Sequence, residues 1–231
     1  MALYAISDLH LPLGINKPMD IFGKKWENYV DRLFENWQNT VKKEDTVVIP
    51  GDFSWATYLE ESKADFDFLN SLNGKKILLK GNHDYWWTTM NKMKKFVEEN
   101  GYEDIEFLQN NSFEYKNISI CGSRGWNTPM GNMSEEDQKI YDRELQRLDL
   151  SVKAAKNPDN VIIFTHFPPI LKDYRENAMV DFMKSNNIKS CIFGHIHSSG
   201  IRNAVEGNIE GINYSLVSCD YREFMPVQLA E

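Results

Sequence analysis

The chain is poor in the features that mark secreted, membrane-spanning or polynucleotide-coating proteins. Only three cysteines, Cys121, Cys191 and Cys219, occur in 231 residues. Their odd number and wide spacing exclude a paired zinc-binding pattern and a disulfide framework, so a reduced, cytoplasmic setting is expected. No apolar run approaches the ~18 residues of a membrane span. The opening MALYAISDLH lacks a basic stretch and turns polar at Ser7, unlike a signal peptide. No membrane association is expected. Cations are also scarce: 26 Lys and Arg face 34 Asp and Glu, for a net charge of −8. With no basic block to neutralise phosphates, nucleic acid is disfavoured as a partner. No repeat, low-complexity tract or Pro/Gly/Ser-rich linker divides the chain, so residues 1–231 read as a single domain.

Short apolar runs alternate with amphipathic segments, which is the pattern of an α/β fold. Strands are expected at 2–7, 45–49, 75–79, 118–122, 160–165, 189–193 and 212–218. The first connecting helix carries Trp26, Tyr29, Val30, Leu33, Phe34, Trp37 and Val41 at three-and-four spacing, one face for a core. A second begins near Ser134, where Ser-Glu-Glu-Asp resembles a capping box, and Ile140, Tyr141, Leu145, Leu148, Val152 and Ala155 continue its buried stripe. Further helices are expected at about 59–72, 87–99 and 175–186. Two loops rich in Gly, Pro and large side chains, 11–23 and 123–133, follow strands as the mouth of a site would.

All five histidines, His10, His83, His166, His195 and His197, follow an expected strand by a few residues. The blocks around them read SDLH, KGNHD, FTHFPP and FGHIHS, and PGDF stands at a further strand end. Together they offer carboxylates, an amide oxygen and imidazoles, the donor set of a divalent transition metal. In extended chain, residues two apart share a side, so Asp8 pairs with His10, and His195 with His197. Glycines before Asp52, Asn82 and His195 permit close backbone approach. Asp8, His10, Asp52, Asn82, His166, His195 and His197 are too many ligands for one zinc, and suit two metals sharing a carboxylate.

The ordered blocks D-x-H, GD, GNHD, H and GHxH, from Asp8 to His197, closely resemble the calcineurin-like metallophosphoesterases. That resemblance implies a four-layer sandwich of two mixed β-sheets flanked by helices, with a dinuclear metal site at the strand ends. It also implies that Asp8, His10 and His197 hold one metal, that Asn82, His166 and His195 hold the other, and that Asp52 bridges them. The cofactors would be two divalent ions, Mn, Fe or Zn.

Such a pair clamps a phosphate and activates a bridging hydroxide for in-line attack. An acidic protein thereby acquires a local site for an anion. His83, left without a metal role, is assigned as general acid. Arg124 and Trp126 are candidates to bind substrate, the guanidinium as a phosphate clamp and the indole as a stacking face. Trp55, Trp86 and Trp87 could form a wall of the site. The match departs from the protein serine/threonine phosphatases, because Trp55 and Ala56 replace an acidic partner of the catalytic histidine and a phosphate-binding arginine. The expected activity is hydrolysis of a small phosphomonoester or phosphodiester, including nucleotide-like ones. A non-catalytic metal-bound scaffold is the alternative, and a nuclease a lesser one.

Overall fold

The strands that the alternation reveals are buried on both faces, and this dictates the layering of the molecule. The computed structural model describes all 231 residues. Its strands are β1 (Leu3–Ala5), β2 (Thr46–Pro50), β3 (Lys75–Leu79), β4 (Ile105–Phe107), β5 (Phe113–Tyr115), β6 (Ile118–Ser123), β7 (Val161–Thr165), β8 (Ser190–Phe193), β9 (Gly207–Ile209), β10 (Ile212–Leu216) and β11 (Val227–Ala230). They form two sheets, ordered β11-β1-β2-β3-β4 and β5-β6-β7-β8-β10-β9. β1 to β4 run parallel, as do β6, β7, β8 and β10, while β11, β5 and β9 pair antiparallel at the edges. Both sheets are therefore mixed, as expected.

The helices are α1 (Tyr29–Thr40), α2 (Lys63–Ser71), α3 (Met90–Glu99), α4 (Glu135–Lys153) and α5 (Ala178–Ser185). Period-two alternation sorts the strand residues between layers. Leu3, Val48 and Ile77 face Ile120, Phe164 and Ile192 between the sheets. Tyr4, Val47 and Leu78 point the other way, onto Leu33, Phe66 and Met93 of α1, α2 and α3. Cys121, Ile163 and Cys191 point outward onto Tyr141 and Leu148 of α4 and Met183 of α5. The result is helices, sheet, sheet, helices. No helix is long and apolar enough to cross a membrane.

All seven expected strands are present, and the four additional ones, β4, β5, β9 and β11, are the sheet edges. They are only three or four residues long and carry polar side chains, which is how edges avoid further pairing and why alternation does not expose them. The first helix starts later than its periodicity predicts. Trp26 lies in a separate 3-10 turn, Lys24–Trp26, because Asn28 adopts φ 49° and breaks the run before Tyr29. The N-terminus of α4 is as expected, with the Ser134 hydroxyl accepting from Asp137 N at 3.1 Å. Its buried stripe also contains Glu144 and Ser151, polar residues that hydrophobic periodicity passes over.

The 11–23 loop is tied to α2 by a buried carboxylate. Asp65 accepts Leu13 N at 2.8 Å and the Ser54 hydroxyl. Burial pushes its carboxyl up to about 6 from 3.8, against those hydrogen bonds. A raised carboxyl pKa binds its proton more tightly in the folded state. Its stabilisation is complete below about pH 4 and is lost as pH rises through about 6. Asp65→Asn cannot ionise, so the stability of the native protein relative to this variant should fall by up to about 3 kcal/mol between pH 4 and 7. Urea unfolding midpoints across that range provide the check.

Candidate metal centre

Parallel strands end on the same edge of their sheet, and that edge collects the expected site residues. Asp8 and His10 follow β1, Asp52 follows β2 and Asn82 follows β3, while His166 follows β7 and His195 and His197 follow β8. The two sheets face each other, so the two sets of loops meet. The chain there is not extended, contrary to the pairing expected from two-residue spacing. Asp8, His10, Asp52 and His195 have φ of 61°, 47°, 53° and 70°, a left-handed region that non-glycine residues seldom occupy. Backbone strain of this kind gathers at functional sites. The approach is close enough that a Cβ on Gly81 would lie 2.1 Å from Asp52 Oδ1, and one on Gly194 would lie 2.5 Å from Asp8 Oδ2.

Asp8, His10 and His197 form one donor group, and Asp8, Asp52 and His166 a second that shares Asp8 with it. Every one of these residues but His197 is fully buried. The Asp8 carboxylate is fixed by the Ser7 hydroxyl, by the Ser218 hydroxyl at 3.0 Å and by His195 N at 3.0 Å. His197 donates from Nδ1 to Asp220 Oδ1 at 2.7 Å, while Ser198 N binds the other oxygen of Asp220. This orients the ring and leaves Nε2 facing Asp8, 3.0 Å from Oδ1 but not aligned for a hydrogen bond. His10 Nδ1 is likewise buried without a partner.

On the other side, His166 Nδ1 lies 3.1 Å from the Pro50 carbonyl, to which it donates. The unprotonated Nε2 then faces Asn82 Oδ1 at 2.6 Å, and His195 Nδ1 lies 2.8 Å from the same oxygen. Burial holds His166 down to about 3 and His195 down to about 4, so both imidazoles are neutral, as metal ligands must be. His166 Nε2 and Asn82 Oδ1 are thus acceptors facing one another. Asp52 Oδ2 stands between the groups, 3.8 Å from His10 Nε2 and 3.5 Å from His166 Nε2, and Oδ1 receives His83 N at 2.8 Å. Burial, Asp8 and Asp84 all raise the Asp52 carboxyl, whose negative charge is disfavoured there. Burial opposes protonation of His197, but Asp8 and Asp220 override it and raise this histidine to about 10. Crowded oxygens and the neutral imidazoles of His10, His166 and His195 fit divalent cations, and His197 would join them by giving up its proton on binding.

His83 is half-buried, its ring centroid 4.5 Å from Trp55 and 5.7 Å from His10. Burial and the nearby Lys17 ammonium lower its pKa. Lys17 lies 3.3 Å over the Trp55 ring, and that ring stacks on His10 at 4.6 Å. Asp84, adjacent to His83 in sequence, serves the backbone instead. Its two oxygens accept from Gly81 N, Asp52 N, Phe53 N, Ser54 N and Trp86 Nε1, lashing the GD and GNHD turns together. Trp86 and Trp87 are buried in the core with the α3 side chains, so of the three candidate wall tryptophans only Trp55 meets the centre. Trp26 joins it, 6.0 Å from His10 and from His197.

Arg124 pairs with buried Glu144, Nη2 to Oε1 3.6 Å, and Arg147 bonds the same oxygen at 2.7 Å. The Trp126 indole donates to Asp137 and packs on Phe167, which in turn lies 4.3 Å from His195. Sequence reasoning overlooked Asp220, Ser7, Ser218 and Lys17. Asp220 follows the expected strand 212–218 in the same strand-end position as the histidines, and that position was its available signal.

The sequence pattern of the calcineurin-like phosphoesterases matches residues 1–199. No curated protein matches the chain. Among solved structures, a phosphopantetheinyl hydrolase from Mycobacterium tuberculosis is similar at 12% identity and a TM-score of 0.58, with 99% of this chain and 95% of that one covered. A protein of unknown function from Aquifex aeolicus is similar at 18% identity and 0.51, with 98% and 95% covered. A Thermus thermophilus protein is similar at 13% identity and 0.54, with 99% and 97% covered.

Asp220 lies beyond the matched residues yet sets the orientation of His197. Replacing the carboxylate behind a ligating histidine typically costs 10–100-fold in metal affinity. Calorimetric titration of metal-free Asp220→Ala with Mn²⁺ should show one binding step weakened by about that factor and another unchanged.

Proposed function

The chain belongs to the calcineurin-like phosphoesterases, and from that premise we propose that it hydrolyses a small phosphomonoester or phosphodiester at the edge where its two sheets meet. The observation that carries this reading is the convergence of metal-ligand atoms on Asp8 and Asp52, two buried carboxylates paired with histidines alone and with no lysine or arginine. Asp8, His10 and His197 would hold one cation, and Asn82, His166 and His195 a second, with Asp52 shared. Imidazole, carboxylate and amide oxygen suit Mn, Fe or Zn. When bound, two such cations supply Lewis-acid stabilisation of the phosphate and activate water as the nucleophile.

The protein's own residues perform the remaining work. The Pro50 carbonyl accepts from Nδ1 of neutral His166, which therefore presents a lone pair inward, while Asp220 accepts from Nδ1 of His197, whose Nε2 would become a ligand once its own proton is displaced. Trp55 and Trp26 cover His10 and exclude water from that side. Lys17 attracts an anion to the mouth. His83 gives its proton to the departing oxygen. Its lowered pKa leaves a minority protonated at neutral pH, and a phosphate dianion bound beside it favours the protonated form. No carboxylate bonds the ring of this histidine; the Trp55 face orients it, and the bond from the backbone His83 N to Asp52 Oδ1 places the residue. Arg124 would have to leave Glu144 to clamp a phosphate, which makes Lys17 the better-placed cation.

The whole chain would act as one catalytic unit, since Ser218 and Asp220, outside the matched residues, reach Asp8 and His197. The three cysteines are free and buried, which supports a reducing, cytoplasmic setting.

With Mn²⁺ and aryl phosphomonoesters and phosphodiesters, turnover should be measurable and should vanish in Asp52→Asn. His83→Ala should lower kcat by about 10²–10⁴-fold while metal content, read by elemental analysis, stays at the wild-type value. Loss of metal in this variant would place His83 among the ligands. Inactivity of the wild-type protein with every metal and both ester types would favour the scaffold reading.

A further inference from the structure

A groove of about 660 Å³ opens directly beside the metal-ligand cluster, with His195 and His197 forming part of its wall. It runs between the 123–133 loop and the 3-10 turn Ser198–Asn203. Phe167 forms its floor next to His195, and Met130, Leu171 and Ile196 add apolar surface. The polar groups along it, on Asn127, Thr128 and Asn203, are all neutral. Apart from the two histidines, no ionisable side chain lines it. A larger cavity of about 760 Å³ lies beside Tyr85, Lys92 and Glu99, but none of the expected ligands reaches it.

We propose that this groove binds the organic substituent of the phosphate ester, and that the substituent is uncharged, mainly apolar and able to hydrogen-bond through amide or hydroxyl groups. The proposal rests on the phosphoesterase reading above. A phosphate on the metals would leave its substituent beside His195 and His197, where the groove begins. Apolar atoms there are removed from water against Phe167, Leu171 and Ile196. A second phosphate or a carboxylate would be desolvated against the same surface away from the histidines, where no lysine or arginine lines the groove: Lys17 sits over Trp55, and Lys172 and Arg175 line a separate pocket with Pro129 and Gly131. Nucleoside polyphosphates and polynucleotides are therefore poor occupants, whereas a single phosphate on a neutral chain fits.

Phosphonates test this without turnover, since their P–C bond is not hydrolysed. The metal-loaded full chain would be titrated calorimetrically with methylphosphonate, hexylphosphonate and 6-phosphonohexanoic acid. Hexylphosphonate should bind about tenfold or more tighter than methylphosphonate, the effect of burying roughly two methylenes. The acid should lose that advantage. Met130→Ser and Leu171→Ala should each bring hexylphosphonate toward methylphosphonate. Met130 is 64% exposed, so its replacement tests the groove without disturbing the core. Equal binding of the methyl and hexyl compounds, or a hexyl advantage that survives both substitutions, would overturn the proposal while leaving the phosphate site intact. Failure of methylphosphonate itself to bind would overturn the phosphoesterase reading beneath it.

Discussion

Two buried carboxylates, Asp8 and Asp52, share one confined space with four histidines, and no lysine or arginine pairs with either of them. Most of the architecture around the centre manages this arrangement. Negative charge buried without a partner is strongly disfavoured, so such a cluster is sustained only by hydrogen bonds to the carboxylates or by bound cations. Ser7, Ser218 and His195 N supply hydrogen bonds to Asp8, and His83 N supplies one to Asp52.

Behind the donors stand two aspartates with different tasks. Asp220 acts on one imidazole, orienting it through a single short hydrogen bond. Asp84 acts on backbone, joining the turns that present Asp52 and Asn82 through the four amides it accepts. Both are buried, and neither is among the donors. They show why a carboxylate next to a catalytic-looking histidine in sequence need not touch it. Neighbours in a tight turn point in different directions, and Asp84 turns toward the amides while His83 turns toward Trp55.

The layering was legible because central parallel strands are apolar on both faces, and runs such as KKILL and NVIIFT stand out from a polar chain. The four edge strands were not, since three or four half-polar residues carry no periodicity. The donor set was legible from its chemistry at strand ends, but its geometry was not. Asp8 and His10 meet through left-handed backbone, which side-chain alternation does not describe. Trp55, Trp86 and Trp87 looked equivalent as sequence, yet one covers the centre and two fill the core. Indole contacts depend on the packing of distant segments, and Lys17 over Trp55 is a case in point.

The pairing of β1 with β11 has a consequence for the order in which the molecule is made. β1 ends at the first donors of the centre, but one of its two neighbours is β11, more than two hundred residues later in the chain. Synthesis runs from the N-terminus, so that edge of β1 stays open until residues 227–230 emerge. Asp220, which aligns His197, also arrives late. A ribosome-bound chain therefore carries most of its donors before it can hold them in register, and the centre is completed only once residues 220–230 have emerged.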